Sequence, residues 1–83
     1  MTTTVIRYDY QRQLLYICMP RYAVIQSKAL YKKLNDVYDL KITTLQVNSS
    51  MIICKVIHSA ERDQIKNYDK FEVNGCAFEL RLN

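Results

Sequence analysis

Between residues 5 and 20 the chain reads VIRYDYQRQLLYICMP, and the kind of sheet it enters depends on whether its two apolar runs pair with each other. VIRYDY (5–10) sets Ile6, Tyr8 and Tyr10 against Val5, Arg7 and Asp9, the two-residue period of a half-buried strand. LLYICM (14–19) is apolar almost throughout, as a strand covered on both faces is, and it stops at the only proline, Pro20. The polar QRQ between them predicts a hairpin. Tyr16, in the middle of the second run, either packs against protein or offers its ring to a partner.

Working outward, the period changes after Pro20. At 100° per residue Ala23, Leu30, Leu34 and Val37 fall on one stripe flanked by Tyr31 and Tyr38, which predicts a helix over 20–39 lying on the sheet. Pro20 suits its first turn, and Ser27 offers an alternative start as the cap of a shorter helix. KITTLQV (41–47) and MIICKVIH (51–58) flank NSS, so a two-residue turn at Asn48-Ser49 would pair Val47 with Ser50, Leu45 with Ile52 and Thr43 with Cys54. That register puts Leu45, Val47, Ile52, Cys54 and Val56 on one face, and Ile42, Thr44, Gln46, Met51, Ile53 and Ile57 on the other. Ser59 followed by AERDQIKNY predicts a second, short helix with acids first and Lys66 last, anchored by Ile65 and Tyr68. Asn74-Gly75 then predicts a tight hairpin pairing Val73 with Cys76, Phe71 with Phe78 and Lys70 with Glu79.

Leaving out the first strand, the order is strand, helix, strand, strand, short helix, strand, the split βαβ or ferredoxin-like pattern. The expected fold is therefore α+β: an antiparallel sheet with two helices on one face and an extra N-terminal strand, forming a single domain over residues 1–83. LYICMP (15–20) resembles the first-strand signature of RNA-recognition-motif domains, in which Leu15, Tyr16, Ile17 and Pro20 match. SAERDQIKNY followed by VNGCAFELRL is similar to that family's second helix and its approach to the last strand. The resemblance covers about residues 14–82 and implies RNA as a partner. At the family's exposed third-strand aromatic positions this chain carries Met51 and Ile53, so Tyr16 alone would stack on a base. If 5–10 pairs with 14–19, it also takes the edge used by the family's last strand; either the N-terminal strand lies elsewhere or the sheet order differs.

The chain has 83 residues and a formal net charge of +4. Residues 1–58 hold eight bases and three acids, residues 59–83 four bases and five acids, an asymmetry that gives one side to an acidic partner or a nucleic acid. No apolar run reaches the length of a membrane span, and the first residues lack the pattern of a signal peptide, so a cytoplasmic location is expected. Cys18, Cys54 and Cys76 form no C-x-x-C pair and sit in strand-like apolar surroundings, which predicts buried thiols acting as small hydrophobes. No phosphate-binding loop, HExxH or helical carboxylate pair is present, and no cofactor or metal is expected. His58 has no acidic residue at a metal-ligand or triad spacing, so the chain is expected to bind rather than catalyse.

On the predicted first helix Arg21, Lys28 and Lys32 fall within about 40° of one another, with Lys33 nearby. These four cations, extended by Arg7 and Arg12 of the hairpin, are the candidate phosphate contacts. The opposite expectation attaches to the sheet face away from the helices. Tyr16, Ile42, Met51, Ile53 and Lys55 there form a largely apolar surface, suited to burial against a twin subunit or another protein. The leading expectation is an RNA-associated dimeric protein. The alternative is a protein-directed inhibitor or adaptor, of the small phage or mobile-element kind that masks a host nuclease or toxin.

Overall fold

The hairpin forms, and its formation reorders the sheet. In the computed structural model, which describes residues 3–18 and 27–83, β1 (Thr4–Asp9) and β2 (Leu14–Ile17) pair antiparallel with Ile6 opposite Ile17 and Tyr8 opposite Leu15. Gln13 closes the turn at φ 56°, its amide side chain donating to the Tyr10 carbonyl at 2.8 Å. A connection this short closes at little entropic cost, so β1 takes the flank of β2.

The last strand is displaced one place outward. The chain continues through α1 (Ser27–Tyr38), β3 (Lys41–Val47), β4 (Ile52–His58), β5 (Tyr68–Val73) and β6 (Cys76–Leu82), and the sheet order is β3-β4-β2-β1-β6-β5. β6 runs parallel to β1, with Ile6 opposite Leu80, while every other neighbouring pair is antiparallel. The sheet is mixed and six-stranded. The expected antiparallel, ferredoxin-like arrangement with two helices is thereby overturned.

The second helix is absent as well. Between β4 and β5 there is only a single 3-10 turn, Arg62–Gln64, after which Ile65 is already extended. Ile65 is the one buried residue of 59–67, too narrow an apolar face to offset the cost of starting a helix. Ser59 does not cap; its hydroxyl donates to the Ala60 carbonyl. Tyr68, expected as a helix anchor, is the first residue of β5.

A different turn also shifts β3 against β4. Asn48 accepts the Ser50 N–H on its side chain at 3.0 Å and donates its own N–H to the Met51 carbonyl at 3.0 Å. Neither Asn48 nor Ser49 has the positive φ that a tight two-residue turn demands. Val47 consequently pairs with Ile52, and an irregularity between Thr44 and Gln46 leaves Thr44 opposite Cys54 and Ile42 opposite Val56. The turn's two-residue shift keeps the faces, but beyond the irregularity the net shift is one residue, which exchanges them. Ile42, expected on the open face, is half-buried against the core beside Val56.

Among the described residues one α-helix covers the sheet. α1 buries Leu30, Leu34 and Tyr38, whereas Val37, expected on that stripe, is 50% exposed. Tyr31 reaches β3 and β4, its hydroxyl 2.7 Å from Thr44 Oγ1 and 3.2 Å from Cys54 Sγ. Tyr38 reaches the opposite edge, donating to Asp69 Oδ2 at 2.7 Å with its ring 5.9 Å from that of Phe71. Six flat strands would put their outer edges about 24 Å apart, and a helix is only about 10–12 Å wide. Tyr31 and Tyr38 therefore extend its cover to both sides of the sheet, and Ile6, Tyr8, Leu15, Ile17, Ile52, Cys54, Phe78 and Leu80 are buried. Asp39 ends the helix in the left-handed region (φ 55°), its N–H donating to the Asn35 carbonyl at 3.0 Å. Helix residues expected before Ser27, among them Pro20 and Ala23, lie outside the described residues.

The final hairpin follows the expected register: Val73 opposite Cys76, Phe71 opposite Phe78 and Lys70 opposite Glu79. Asn74 and Gly75 supply φ 50° and 82°. Of the three thiols only Cys54 is buried; Cys76 is half-buried and Cys18 is exposed, which corrects the expectation of three core cysteines.

Candidate interaction surface on the open sheet face

Because α1 takes one side of the sheet, the residues alternating with the core point to the other. The cross-strand registers align one such residue from each strand in a single row: Tyr68, Arg81, Arg7, Tyr16, Ile53 and Gln46. At the usual strand spacing the row is about 24 Å long. Two arginines are register neighbours in it, with a tyrosine on each side.

Neighbouring rows add charge. Asp9, Leu14, Lys55 and Thr43 make one, and Lys70, Glu79 and Val5 another. Glu79 is only 8% exposed although it lies on the uncovered face. It stays ionised because it is well served: the Tyr68 hydroxyl donates to Oε1, and Arg81 donates Nε and Nη2 to Oε2 at 2.7 and 2.6 Å. The Tyr68 hydrogen bond, with the Arg81 charge behind it, holds the Glu79 carboxyl below its ordinary pKa, and the same bond raises that of Tyr68. Asp9 is engaged by Arg12, whose Nε lies 3.7 Å from Oδ2. Among the described residues Arg7 and Lys55 form no ion pair, so their charges stay available to a ligand.

The expected phosphate contacts are not brought together. Lys28 and Lys32 are exposed and Lys33 half-buried on α1, while Arg7 lies on the opposite side of the sheet and Arg12 in the β1–β2 turn. Arg21 lies outside the described residues. Of the expected interface residues, Tyr16, Ile53 and Lys55 share the open face, Met51 is half-buried in the β3–β4 connection, and Ile42 is turned to the helix side. Tyr68 and Lys70 were hidden in the sequence by the helix expected over 60–68 and by the uncertain sheet order. Once β5 is paired with β6, both fall on the open face with Arg81.

His58 has an acidic neighbour that spacing alone does not reveal, Asp39 Oδ2 at 3.1 Å from Nε2. Both side chains are more than half exposed, and the adjacent Ser59 hydroxyl is turned to a carbonyl, so the pair has no nucleophile to activate. Among the described residues no cluster of His, Cys, Asp and Glu could hold a metal ion, and no helix is long and apolar enough to cross a membrane. Comparison with protein-family models, curated proteins and solved structures yields no match.

Proposed function

We propose that this chain is a cytoplasmic RNA-binding protein without catalytic activity, and that it holds a single strand across the open face of its sheet. The observation that supports this reading is the row Tyr68, Arg81, Arg7, Tyr16, in which two rings flank two guanidiniums. Rings stack on bases of any sequence, at roughly 1–3 kcal/mol per base, and a guanidinium takes a phosphate, the part of Arg7 here, because Arg81 is held by Glu79. Lys55 and Lys70 border the row, so the path of the backbone has cations on either side. The ring beside the helix lysines, Tyr31, is half-buried against β3 and β4, so these lysines serve, in this reading, only as long-range attraction.

Fluorescence anisotropy with a labelled mixed-sequence single-stranded RNA at low salt tests it. Arg7→Ala and Tyr16→Ala should each weaken binding severalfold, whereas Lys28→Glu with Lys32→Glu should change it much less. Absence of binding at low salt, or full affinity in the Arg7 and Tyr16 variants, defeats the proposal.

A protein-directed role is the second reading, favoured by one observation. Leu45 in β3 and Ile57 in β4 are 56% and 67% exposed at that side of the sheet, an apolar patch suited to a protein partner. Leu45→Ser with Ile57→Thr, which changes no charge, should leave RNA affinity intact and abolish capture of a protein partner if that role is the true one.

A further inference from the structure

β5 is an outer strand of the sheet and, unlike β3, pairs with its neighbour without a bulge. Regular edges invite another strand. Its open-face residues are Tyr68, Lys70 and Glu72, with Lys70 and Glu72 exposed and of opposite charge; Phe71 between them points to the helix side. Backbone hydrogen-bonding groups alternate in direction along a strand, so an antiparallel partner of identical sequence can align only in registers that place alternate residues opposite residues of the same set. Centred on Lys70, that pairing puts lysine against lysine. Centred on Glu72, it puts carboxylate against carboxylate, and centred on Asp69 it does the same on the helix side. Centred on Phe71, it puts Lys70 opposite Glu72 twice and Phe71 opposite Phe71, so the charges select one register and satisfy both copies at once.

We propose that β5 pairs with β5 of a second copy of this chain, antiparallel about a two-fold axis at Phe71, joining the two sheets into one. The Lys70 N–H, now accepted by Asp69 Oδ1 at 2.9 Å, turns to a carbonyl of the partner strand. Glu72 lies opposite Ala77 within its own sheet, so its charge has no intramolecular strand partner and is left for the second copy. The pairing is isologous and closes at two subunits, because each copy spends the same edge. It does not depend on the RNA reading.

Sedimentation over a concentration series tests it. Wild type should show a monomer–dimer equilibrium. Glu72→Lys, which leaves the Ala77 contact undisturbed, should weaken the dimer on the order of tenfold by setting lysines opposite lysines. Lys70→Glu in the same chain should restore association. A mixture of the Glu72→Lys and Lys70→Glu single variants should associate more tightly than either alone. A wild type that stays monomeric at the highest concentrations overturns the proposal, and so does a dimer that Glu72→Lys leaves unchanged. If Lys70→Glu disturbs the hairpin through Glu79, as circular dichroism would show, the comparison of Glu72→Lys and Glu72→Gln with wild type decides it.

Discussion

Arg7 and Arg81 are register partners on adjacent parallel strands, both on the uncovered face of the sheet. Arg81 is held by Glu79, while Arg7 has no acidic partner. Two like charges on neighbouring strands repel unless an anion lies over them. Arg7→Ala should therefore cost no stability in the free protein, and should lower the slope of log affinity against log salt for a single strand by about 0.7. Thermal unfolding beside RNA titration at several salt concentrations measures both; a slope unchanged from wild type would remove Arg7 from the contact.

Tyr38 joins the end of α1 to β5 through Asp69, and Tyr38→Phe removes only the hydroxyl. The loss should be about 1.5–3 kcal/mol, the range for a hydrogen bond to a charged group. That bond is the main cause of the lowered pKa of Asp69. A carboxylate with a depressed folded pKa lends stability that is fully present above its ordinary value and is lost as pH falls through the folded one. Urea denaturation should accordingly show wild type losing its advantage over Tyr38→Phe below about pH 4. Parallel stability curves down to pH 2 would contradict this.

Tyr31 carries the opposite sign. Burial, helped by Cys54, pushes its pKa up to about 12, because the phenolate would lose its hydration between the helix and β4. The neutral form is thus favoured by folding, and the contribution is whole below pH 10 and lost as pH rises through 12. Phenolate absorbance at 295 nm during alkaline titration should show Tyr31 and Tyr38 ionising late, together with unfolding. Tyr31→Phe should remove one late phenol and flatten the alkaline limb of the stability curve.

Gly75 turns the last hairpin at φ +82°, and a Cβ placed there would meet nothing within 4 Å. Gly75→Ala should cost about 1 kcal/mol from backbone conformation alone, lowering Tm by about 5 °C. A loss of several kcal/mol would mean that the turn is constrained by packing after all.

The two hairpins at either end were legible because their signals are local. QRQ between alternating runs and Asn74-Gly75 between Phe71 and Phe78 need no knowledge of the rest of the chain. The β3–β4 turn was not legible, since Asn48 competes for the backbone with its own side chain, and the extra residue between Thr44 and Gln46 reverses which face Ile42 and Thr44 occupy. The short helix after Ser59 failed for a related reason. Its charge order suited a helix, but charge order contributes tenths of a kcal/mol, and the claim of Tyr68 on Arg81 and Glu79 outweighed it.

The candidate site divides along the same line. Arg7 and Tyr16 could be picked out as members of alternating strands, yet the lysines of the helix were grouped with Arg7 although the sheet stands between them. Arg81, Tyr68 and Arg7 come together only because β6 docks parallel to β1, a contact between residues more than seventy positions apart in the chain. Local periodicity and turn chemistry, properties of neighbours along the chain, determined by themselves the strands and apolar faces of the two terminal hairpins, but not the faces of β3 or the start of β5. Strand order, the number of helices and the company kept by each arginine were decided by tertiary structure, because they depend on which edges remain free after the shortest loops have closed.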